Sequence, residues 1–184
     1  MTALMAPRAE IRLAGEGGQG MILAGIILAE AAAIYDQKMA IQTQSYGPEA
    51  RGGASKSEVI IADGEIDHPE VLSADVVVTL SQEAYDKYAA SVKPGGLLIV
   101  DDEKVSHIRT AGAIMISITR LAFETTGKAI TANTVALGVL VGLTGVVSRS
   151  AIEKAVAARA PHGTVEINRK ALEAGFEAAA SVHL

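Results

Sequence analysis

The chain has 184 residues, of which 49% are apolar and 20% charged, with a formal net charge of −5. A chain of this length fits one domain, covering residues 1–184, and can bury a substantial core. The few charges leave part of the surface for a partner, and the scattered Lys and Arg form no basic stripe for nucleic acid. The sequence has no cysteine, which excludes disulfides and cysteine ligation of iron-sulfur clusters or zinc by this chain.

Two segments of the sequence bear on a membrane or secreted location, and neither supports one. Residues 1–10 lack the long apolar stretch of a signal peptide, so we expect a cytoplasmic protein. The most membrane-like stretch, residues 130–148, carries no charge. Polar residues such as Thr131, Asn133 and Thr144 interrupt it together with glycines, which favours a buried or interfacial helix over a membrane span.

The first part of the chain alternates strand, turn and helix. Apolar periodicity predicts strands at 10–14, 39–45 and 59–62, and a helix at 21–33. Glycine and proline exclude regular structure from the loop 46–53. Asp63-Gly64 follows the third strand and is a strong two-residue hairpin signal, so we expect a β-hairpin at an edge of the sheet.

The alternation continues to about residue 120, and the remainder is helical. Buried strands are predicted at 76–80, 97–100 and 114–118, the last followed by a helix. Further helices are predicted at 82–90, 133–147, 150–160 and 165–180. Ser81 is expected to cap the first of these helices, Pro94-Gly95-Gly96 to form a turn, and Ser150 with Glu153 to form a capping box. The sequence therefore predicts an α/β fold: a Rossmann-like three-layer domain with a mostly parallel sheet, a β-hairpin edge and a helical C-terminal third.

Three glycines fall on or near one face of the predicted helix 133–147: Gly138, Gly142 and Gly145. Glycines cost helix propensity, and close approach of another backbone is the expected reason for them. Together with the apolar composition, this face indicates a surface that a partner covers. We therefore expect the isolated chain to form a homodimer.

A glycine-rich turn joins the first predicted strand to the first predicted helix. Gly15, Gly17 and Gly20 have the spacing of the dinucleotide fingerprint, in which glycines allow a ligand to approach and the helix N-terminus attracts an anion. The fingerprint also expects an acidic residue after the second strand, where residues 43–45 read Thr-Gln-Ser. The alternative is that these glycines only pack the helix against the sheet.

A second loop brings a cation to the same region. The strands that precede the two loops are taken as neighbouring parallel strands, whose carboxyl ends share the ligand-binding edge of a sheet. Arg51 lies between Ala50 and two glycines in residues 45–53. We expect the turn and the loop to form one anion-receptive crevice, the alternative being a surface arginine paired with Glu49.

Other chemistry-bearing residues show no site pattern. The four histidines (His68, His107, His162 and His183) have no metal-ligand spacing, and no metal site is expected. Asp101, Asp102 and Glu103 follow a strand, but a solvated acidic loop or helix start is favoured over a cation site. No catalytic motif is found, so no catalytic residue is assigned to this chain.

The two loops together resemble a known family. Gly15-Glu16-Gly17-Gly18-Gln19-Gly20 followed by Ser45-Tyr46-Gly47-Pro48-Glu49-Ala50-Arg51-Gly52-Gly53 is similar to the γ-type subunit of 2-oxoacid:ferredoxin oxidoreductases. The resemblance extends to stretches 81–85, 95–101 and 132–138. Residues 49–53 look more like the 2-oxoglutarate or branched-chain members than the pyruvate members.

The resemblance implies a heteromultimer that oxidatively decarboxylates a 2-oxoacid to an acyl-coenzyme A and passes electrons to ferredoxin. It implies thiamine diphosphate, Mg, iron-sulfur clusters and coenzyme A in the complex, none held by this chain alone. The implied partners are the α and β subunits, a ferredoxin-like δ subunit where present, and ferredoxin. The candidate binding residues are Gly15, Gly17, Gly18, Gln19, Gly20, Ser45, Tyr46, Arg51, Gly52 and Gly53. Two alternatives stay open: a free-standing dinucleotide-binding oxidoreductase, and a purely structural module.

Overall fold

The computed structural model describes residues 7–46 and 53–182 and contains a six-stranded sheet. The strands are β1 Arg8–Glu16, β2 Met39–Ser45, β3 Ala54–Ala62, β4 Ala74–Thr79, β5 Val92–Asp101 and β6 Ile114–Ile116. Their spatial order is β2-β3-β1-β4-β5-β6. The pairs β1 with β4, β4 with β5 and β5 with β6 are parallel. Strand β3 is antiparallel to both of its neighbours, β1 and β2. The prediction of a mostly parallel sheet is confirmed.

The helices follow the predicted alternation. They are α1 Met21–Glu30, continued by a π-helical turn Ala31–Tyr35, then α2 Gln82–Tyr88, α3 Ile118–Thr126, α4 Ala132–Thr144, α5 Arg149–Arg159 and α6 Val165–Ala180. The last four make the C-terminal third helical, as expected. No helix in the described ranges is both long and apolar enough to span a bilayer.

The expected hairpin edge exists, but its predicted turn is wrong. β2 and β3 form an antiparallel pair at the edge of the sheet, with Met39 opposite Ala62 and Ser45 opposite Lys56. Their connection is therefore residues 46–53, and not Asp63-Gly64. After Asp63 the chain passes to β4, which pairs in parallel with β1. Val71 in this crossing is buried in the apolar cluster beneath α2, and that burial outweighs the local hairpin signal.

The Pro94-Gly95-Gly96 segment is not a turn either. It lies inside β5, where the pairing with β4 shifts register between Ala74 and Val76. Gly95 has φ +80°, which favours glycine. A Cβ on Gly96 would lie 2.7 Å from the Asp75 carbonyl oxygen. The glycines thus shape an irregular strand rather than end one.

Apolar clusters cover both faces of the sheet and give the predicted three layers. Ile11, Val76 and Ile99 point to the larger cluster, which α1, α3, α4, α5 and α6 complete. Val77 and Leu98 point to the smaller cluster, which α2 completes. Nearly every residue of α4 is buried, and this accounts for the absence of charge in that stretch.

The glycine face of α4 packs within the chain. A Cβ on Gly138 would lie 2.3 Å from the Leu172 carbonyl oxygen, and one on Gly175 would lie 2.2 Å from the Val135 carbonyl oxygen. Gly145 has a different role, because it ends α4 with φ 62°. The close approach is confirmed, but it occurs between α4 and α6. It therefore provides no argument for a homodimer.

The start of α5 also differs from the prediction. Ser148, and not Ser150, caps the helix by accepting the Ala151 N–H at 3.1 Å. The Asp36 carboxylate in turn accepts both the backbone N–H and the hydroxyl of Ser148, each at 2.6 Å. This contact fixes the extended backbone at Ser148, so Ser150 lies within the first turn.

Replacing Gly138 with alanine tests the contact between α4 and α6. Alanine improves helix propensity by about 1 kcal/mol. Its methyl group meets backbone atoms that cannot rotate away, and overpacking costs about 1–3 kcal/mol. We expect Gly138→Ala to lower the free energy of unfolding in urea titrations. An unchanged or higher midpoint would show that the helices separate easily.

Candidate functional site

The glycine-rich turn lies between the end of β1 and the start of α1. Gly18 and Gly20 have φ of +95° and +75°. Gly15 is needed for space, because a Cβ there would lie 2.5 Å from Gln19 Oε1. At Gly17 neither backbone conformation nor space requires glycine, because its φ is ordinary and an added Cβ would meet no described atom within 4 Å. Its backbone is therefore open to whatever approaches the turn.

Gln19 braces the turn from inside. Its Oε1 accepts the Glu16 N–H at 2.7 Å, and its Nε2 donates to the Leu80 carbonyl oxygen at 2.8 Å. The side chain thus ties the turn to the end of β4. Because both ends of the amide are engaged within the chain, this geometry gives Gln19 a positioning role beside the binding role predicted for it.

Asn133 holds the other end of the turn and was not singled out as a site residue in the sequence. Its Nδ2 donates to the Gly20 carbonyl oxygen at 3.3 Å, and its Oδ1 accepts the Thr134 N–H at 2.8 Å. A Cβ on Gly20 would lie 2.6 Å from that Nδ2. The turn is therefore fixed by α4 as well as by β4. Only its place in the stretch 132–138 gave a signal in the sequence.

The start of α1 suits an anion. Gly20 precedes the helix, no side chain of the described residues caps the helix, and its first turn has no acidic residue. The first N–H groups of a helix have no intrahelical partner, and the helix dipole makes this end positive. These groups would attract an anion that approaches the helix from the glycine-rich turn.

The described ends of the second loop lie at the same edge of the sheet. Gly53 immediately precedes Ala54, which pairs with Glu16, whereas Ser45 pairs with Lys56 on the far side of β3. The expectation that the two loops follow adjacent strands is therefore wrong, because β3 lies between β1 and β2. The ends of β1 and β2 are about 10 Å apart, two strand spacings. Tyr46 is exposed, and Arg51 and Gly52 lie outside the described residues.

Helix α2 anchors the returning end of this loop. Glu83 Oε1 accepts the Ala54 N–H at 3.0 Å, and Ser55 donates its hydroxyl hydrogen to the Gly15 carbonyl oxygen at 3.1 Å. Ser81 caps α2 as predicted, by accepting the Ala84 N–H. Sequence reasoning missed Glu83 and Ser55 as site residues, although stretch 81–85 belongs to the family resemblance.

Carboxylates also border the site. Glu16 and Glu83 are exposed at its rim and would repel an anion. Asp101 is fully buried at the last position of β5, where burial raises the pKa of its carboxyl while hydrogen bonds from Thr119 and the Glu103 N–H favour the charged form. Asp101 thus anchors the start of α3. No cluster of three or more His, Asp or Glu side chains suits a metal ion in the part of the chain described.

The topology weakens the dinucleotide interpretation further. In that fingerprint the ribose anchor follows the strand that comes next along the chain. Here β2 is separated from β1 by β3, so residues 43–45 lie a strand away from the turn. They are also uncharged.

Comparison with known proteins gives the family. Residues 10–178 match Pyruvate ferredoxin/flavodoxin oxidoreductase. The chain belongs to this family. It is 52% identical to 2-oxoglutarate synthase subunit KorC of Methanocaldococcus jannaschii, over 94% of both chains. It is 35% identical to ketoisovalerate oxidoreductase subunit VorA of Methanothermobacter thermautotrophicus, over 93% of this chain and 36% of that one.

A solved structure agrees with the family assignment. The γ subunit of a keto/oxoacid ferredoxin oxidoreductase from Geobacter sulfurreducens superposes with a TM-score of 0.86 and is 53% identical, covering 96% of this chain and 98% of that chain. The predicted resemblance, the Rossmann-like α/β fold and the helical C-terminal region are confirmed.

A double-mutant cycle tests the Gln19 brace. Gly15→Ala displaces the Gln19 amide, because its Oε1 occupies the space of the new methyl group. We expect a loss of about 1 kcal/mol per hydrogen bond broken. In a Gln19→Ala background that amide is absent, so Gly15→Ala should cost clearly less. Urea unfolding of the four proteins measures the coupling, and additive effects would contradict the brace.

Proposed function

We propose that this chain is the accessory γ-type subunit of a thiamine diphosphate-dependent 2-oxoacid:ferredoxin oxidoreductase. The whole enzyme is proposed to decarboxylate 2-oxoglutarate oxidatively and to transfer the resulting acyl group to coenzyme A. The observation that carries the proposal is the match to KorC, 52% identical over 94% of both chains. The identity to VorA is 35%, which favours 2-oxoglutarate over a branched-chain 2-oxoacid. The KorC match also covers nearly the whole relative, whereas the VorA match covers a third of it.

Catalysis is assigned to partner chains. Iron-sulfur clusters need cysteine thiolates, and this sequence has none. Magnesium prefers carboxylate and carbonyl oxygens, and the described residues offer no cluster of acidic side chains to hold it. The sequence therefore does not fit the clusters, and the described residues do not fit the Mg–thiamine diphosphate group. The proposed partners are α and β subunits, a ferredoxin-like δ subunit where present, and ferredoxin; a cytoplasmic location stays a prediction.

The contribution of this chain is proposed to be a coenzyme A contact at the glycine-rich turn. Gly17 and Gly18 have no neighbouring atom within 4 Å of an added Cβ, and the start of α1 is uncapped. These features fit a phosphate. Glu16 and Glu83 oppose it, so the cation of Arg51 is the group expected to offset them.

Two other functions have less support. A free-standing dinucleotide-binding oxidoreductase should have an acidic ribose anchor after β2, where residues 43–45 are uncharged. Titration of NAD(H) or NADP(H) into the chain would test this function. A purely structural module would leave the open backbone at Gly17 without a purpose.

The purified chain alone is expected to have no 2-oxoacid oxidation activity. It lacks cysteine and any recognisable catalytic motif, so neither electron transfer nor decarboxylation has a site here. The assay supplies 2-oxoglutarate, thiamine diphosphate, Mg, coenzyme A and a redox dye. The complex purified from the native cell serves as the positive control, and its subunits are identified by mass spectrometry. Turnover by the chain alone would refute the accessory role.

Two substitutions test the coenzyme A contact in the assembled complex. Arg51→Ala should raise the coenzyme A concentration for half-maximal rate, or weaken assembly, by the equivalent of about 1–3 kcal/mol, the usual contribution of a charged hydrogen bond. Gly17→Ala should also raise this concentration, because its methyl group would occupy the space that the ligand approaches. Neither change should alter the half-saturating 2-oxoglutarate concentration.

Matched controls exist elsewhere on the surface. Gly64 also has an ordinary φ and no neighbour within 4 Å of an added Cβ, so Gly64→Ala repeats the chemical change away from the site. Arg169→Ala removes an exposed arginine on α6. If the site and control variants behave alike, the coenzyme A contact is wrong while the subunit assignment stands.

A further inference from the structure

The outer edge of β2 lies outside the coenzyme A contact proposed at Gly17 and Gly18. Within residues 7–46 and 53–182, no strand pairs with that edge. An exposed strand edge presents unpaired N–H and C=O groups and favours pairing with another chain. Proteins usually protect such edges with short strands, lysine, proline or bulges.

The two edges of this sheet are treated differently. β6, at one edge, has only three residues and is short enough to be protected. β2, at the other edge, has seven residues, Met-Ala-Ile-Gln-Thr-Gln-Ser, with no charge and no proline. The nearest lysine, Lys38, is occupied within the chain: its Nζ donates to the Val146 carbonyl oxygen at 3.3 Å and lies 3.7 Å from the Asp63 carboxylate. Lys38 therefore does not protect the outer edge of β2 from pairing with another strand.

Exposed apolar side chains lie at both ends of β2. At its start, Ile34 is 62% exposed and Met39 is 52% exposed, with Tyr35 beside them. Directly after its end, Tyr46 is 67% exposed. Single exposed apolar residues are common, but these residues adjoin one unpaired strand. The surface thus combines backbone hydrogen-bonding groups with an apolar group at each end.

We infer that β2 pairs in antiparallel fashion with β2 of a second copy of this chain, which joins the two sheets into one. In an antiparallel pair the opposing residues share a face. With Gln42, the middle residue, on the two-fold axis, Met39 lies opposite Ser45 of the second copy. Tyr46 of each copy then lies beside the apolar start of β2 of the other.

The second copy is the occupant that best matches this edge. The edge needs an extended, uncharged strand of similar length that carries an apolar group at the end facing Met39. β2 itself meets each requirement, and antiparallel symmetry provides the apolar contact twice. Self-pairing also brings no like charges together, because none of the seven residues is charged.

Introduced cysteines test the pairing directly, since the native sequence has none. Residue 42 alone lies opposite itself in this pairing, so we expect Gln42→Cys to form disulfide-linked dimers fastest under mild oxidation. Ile41→Cys and Thr43→Cys place their thiols two positions apart across the pair and should link more slowly. The variant that forms the disulfide fastest identifies the residue nearest the two-fold axis. Leu72 is 83% exposed and lies just before β4, which is three strands away from β2. Leu72→Cys is therefore the control and should stay monomeric on non-reducing gels. Equal linkage at the control, or none at positions 41–43, would overturn the pairing.

Light scattering of the full chain at tens of micromolar gives the second measurement. The native chain should have twice the chain mass, and Thr43→Lys should be monomeric because it places two lysines near the axis. Met115→Lys makes the same kind of change on β6 and should remain dimeric. Circular dichroism checks folding, with Gln44→Lys as a second edge variant. A native monomer, or a dimer that Met115→Lys alone disrupts, would overturn the inference.

Discussion

The close contact of α4 with α6 is the constraint on which the rest of the molecule depends. Gly138 and Gly175 let the two backbones approach until any Cβ would overlap a carbonyl oxygen. This contact fixes α4 beneath the sheet, and α4 carries Asn133. The Asn133 amide then holds the Gly20 carbonyl oxygen and thereby one end of the candidate site. Packing in the helical third therefore determines the shape of a turn near the N-terminus.

The site and the free strand edge share one structural cause. β3 runs antiparallel between β1 and β2, so it separates the two loops and also places β2 at the margin of the sheet. Had β2 paired with β1 directly, it would lie inside the sheet and its backbone groups would be satisfied. The same insertion leaves residues 46–53 as a connection that starts and ends at the carboxyl edge. The order of the strands thus brings Tyr46 and Gly53, the described ends of this connection, to the carboxyl edge, and it leaves β2 with one neighbouring strand among the described residues.

Local signals in the sequence were sufficient for most elements. Ser81 caps α2 and the periodicity of 165–180 gives α6 with its observed bounds, because both depend on contacts a few residues apart. Two of the errors come from contacts between residues far apart in the chain. Asp63-Gly64 has the composition of a hairpin, but the strand that follows it pairs with β1. Ser150 has a capping partner at the right spacing, but Asp36 holds Ser148 instead.

The candidate site was predictable only in outline. The glycine spacing correctly indicated a turn between a strand and a helix, and stretch 81–85 pointed to α2. Composition could not show that Gln19 faces inward or that Asn133 reaches Gly20, because these contacts join residues far apart in the chain. The same limit applies to the glycines of α4, whose partner is α6 in this chain and not another molecule.

The braces of the glycine-rich turn have a consequence for the order of folding. The turn spans few residues, yet Gln19 is tied to Leu80 across 61 positions and Asn133 to Gly20 across 113. Contacts of such high sequence separation form late, after the loops between them have closed. The turn is therefore expected to gain its native shape only when β4 and α4 have docked. A fragment ending before β4 would contain the whole glycine motif without its geometry.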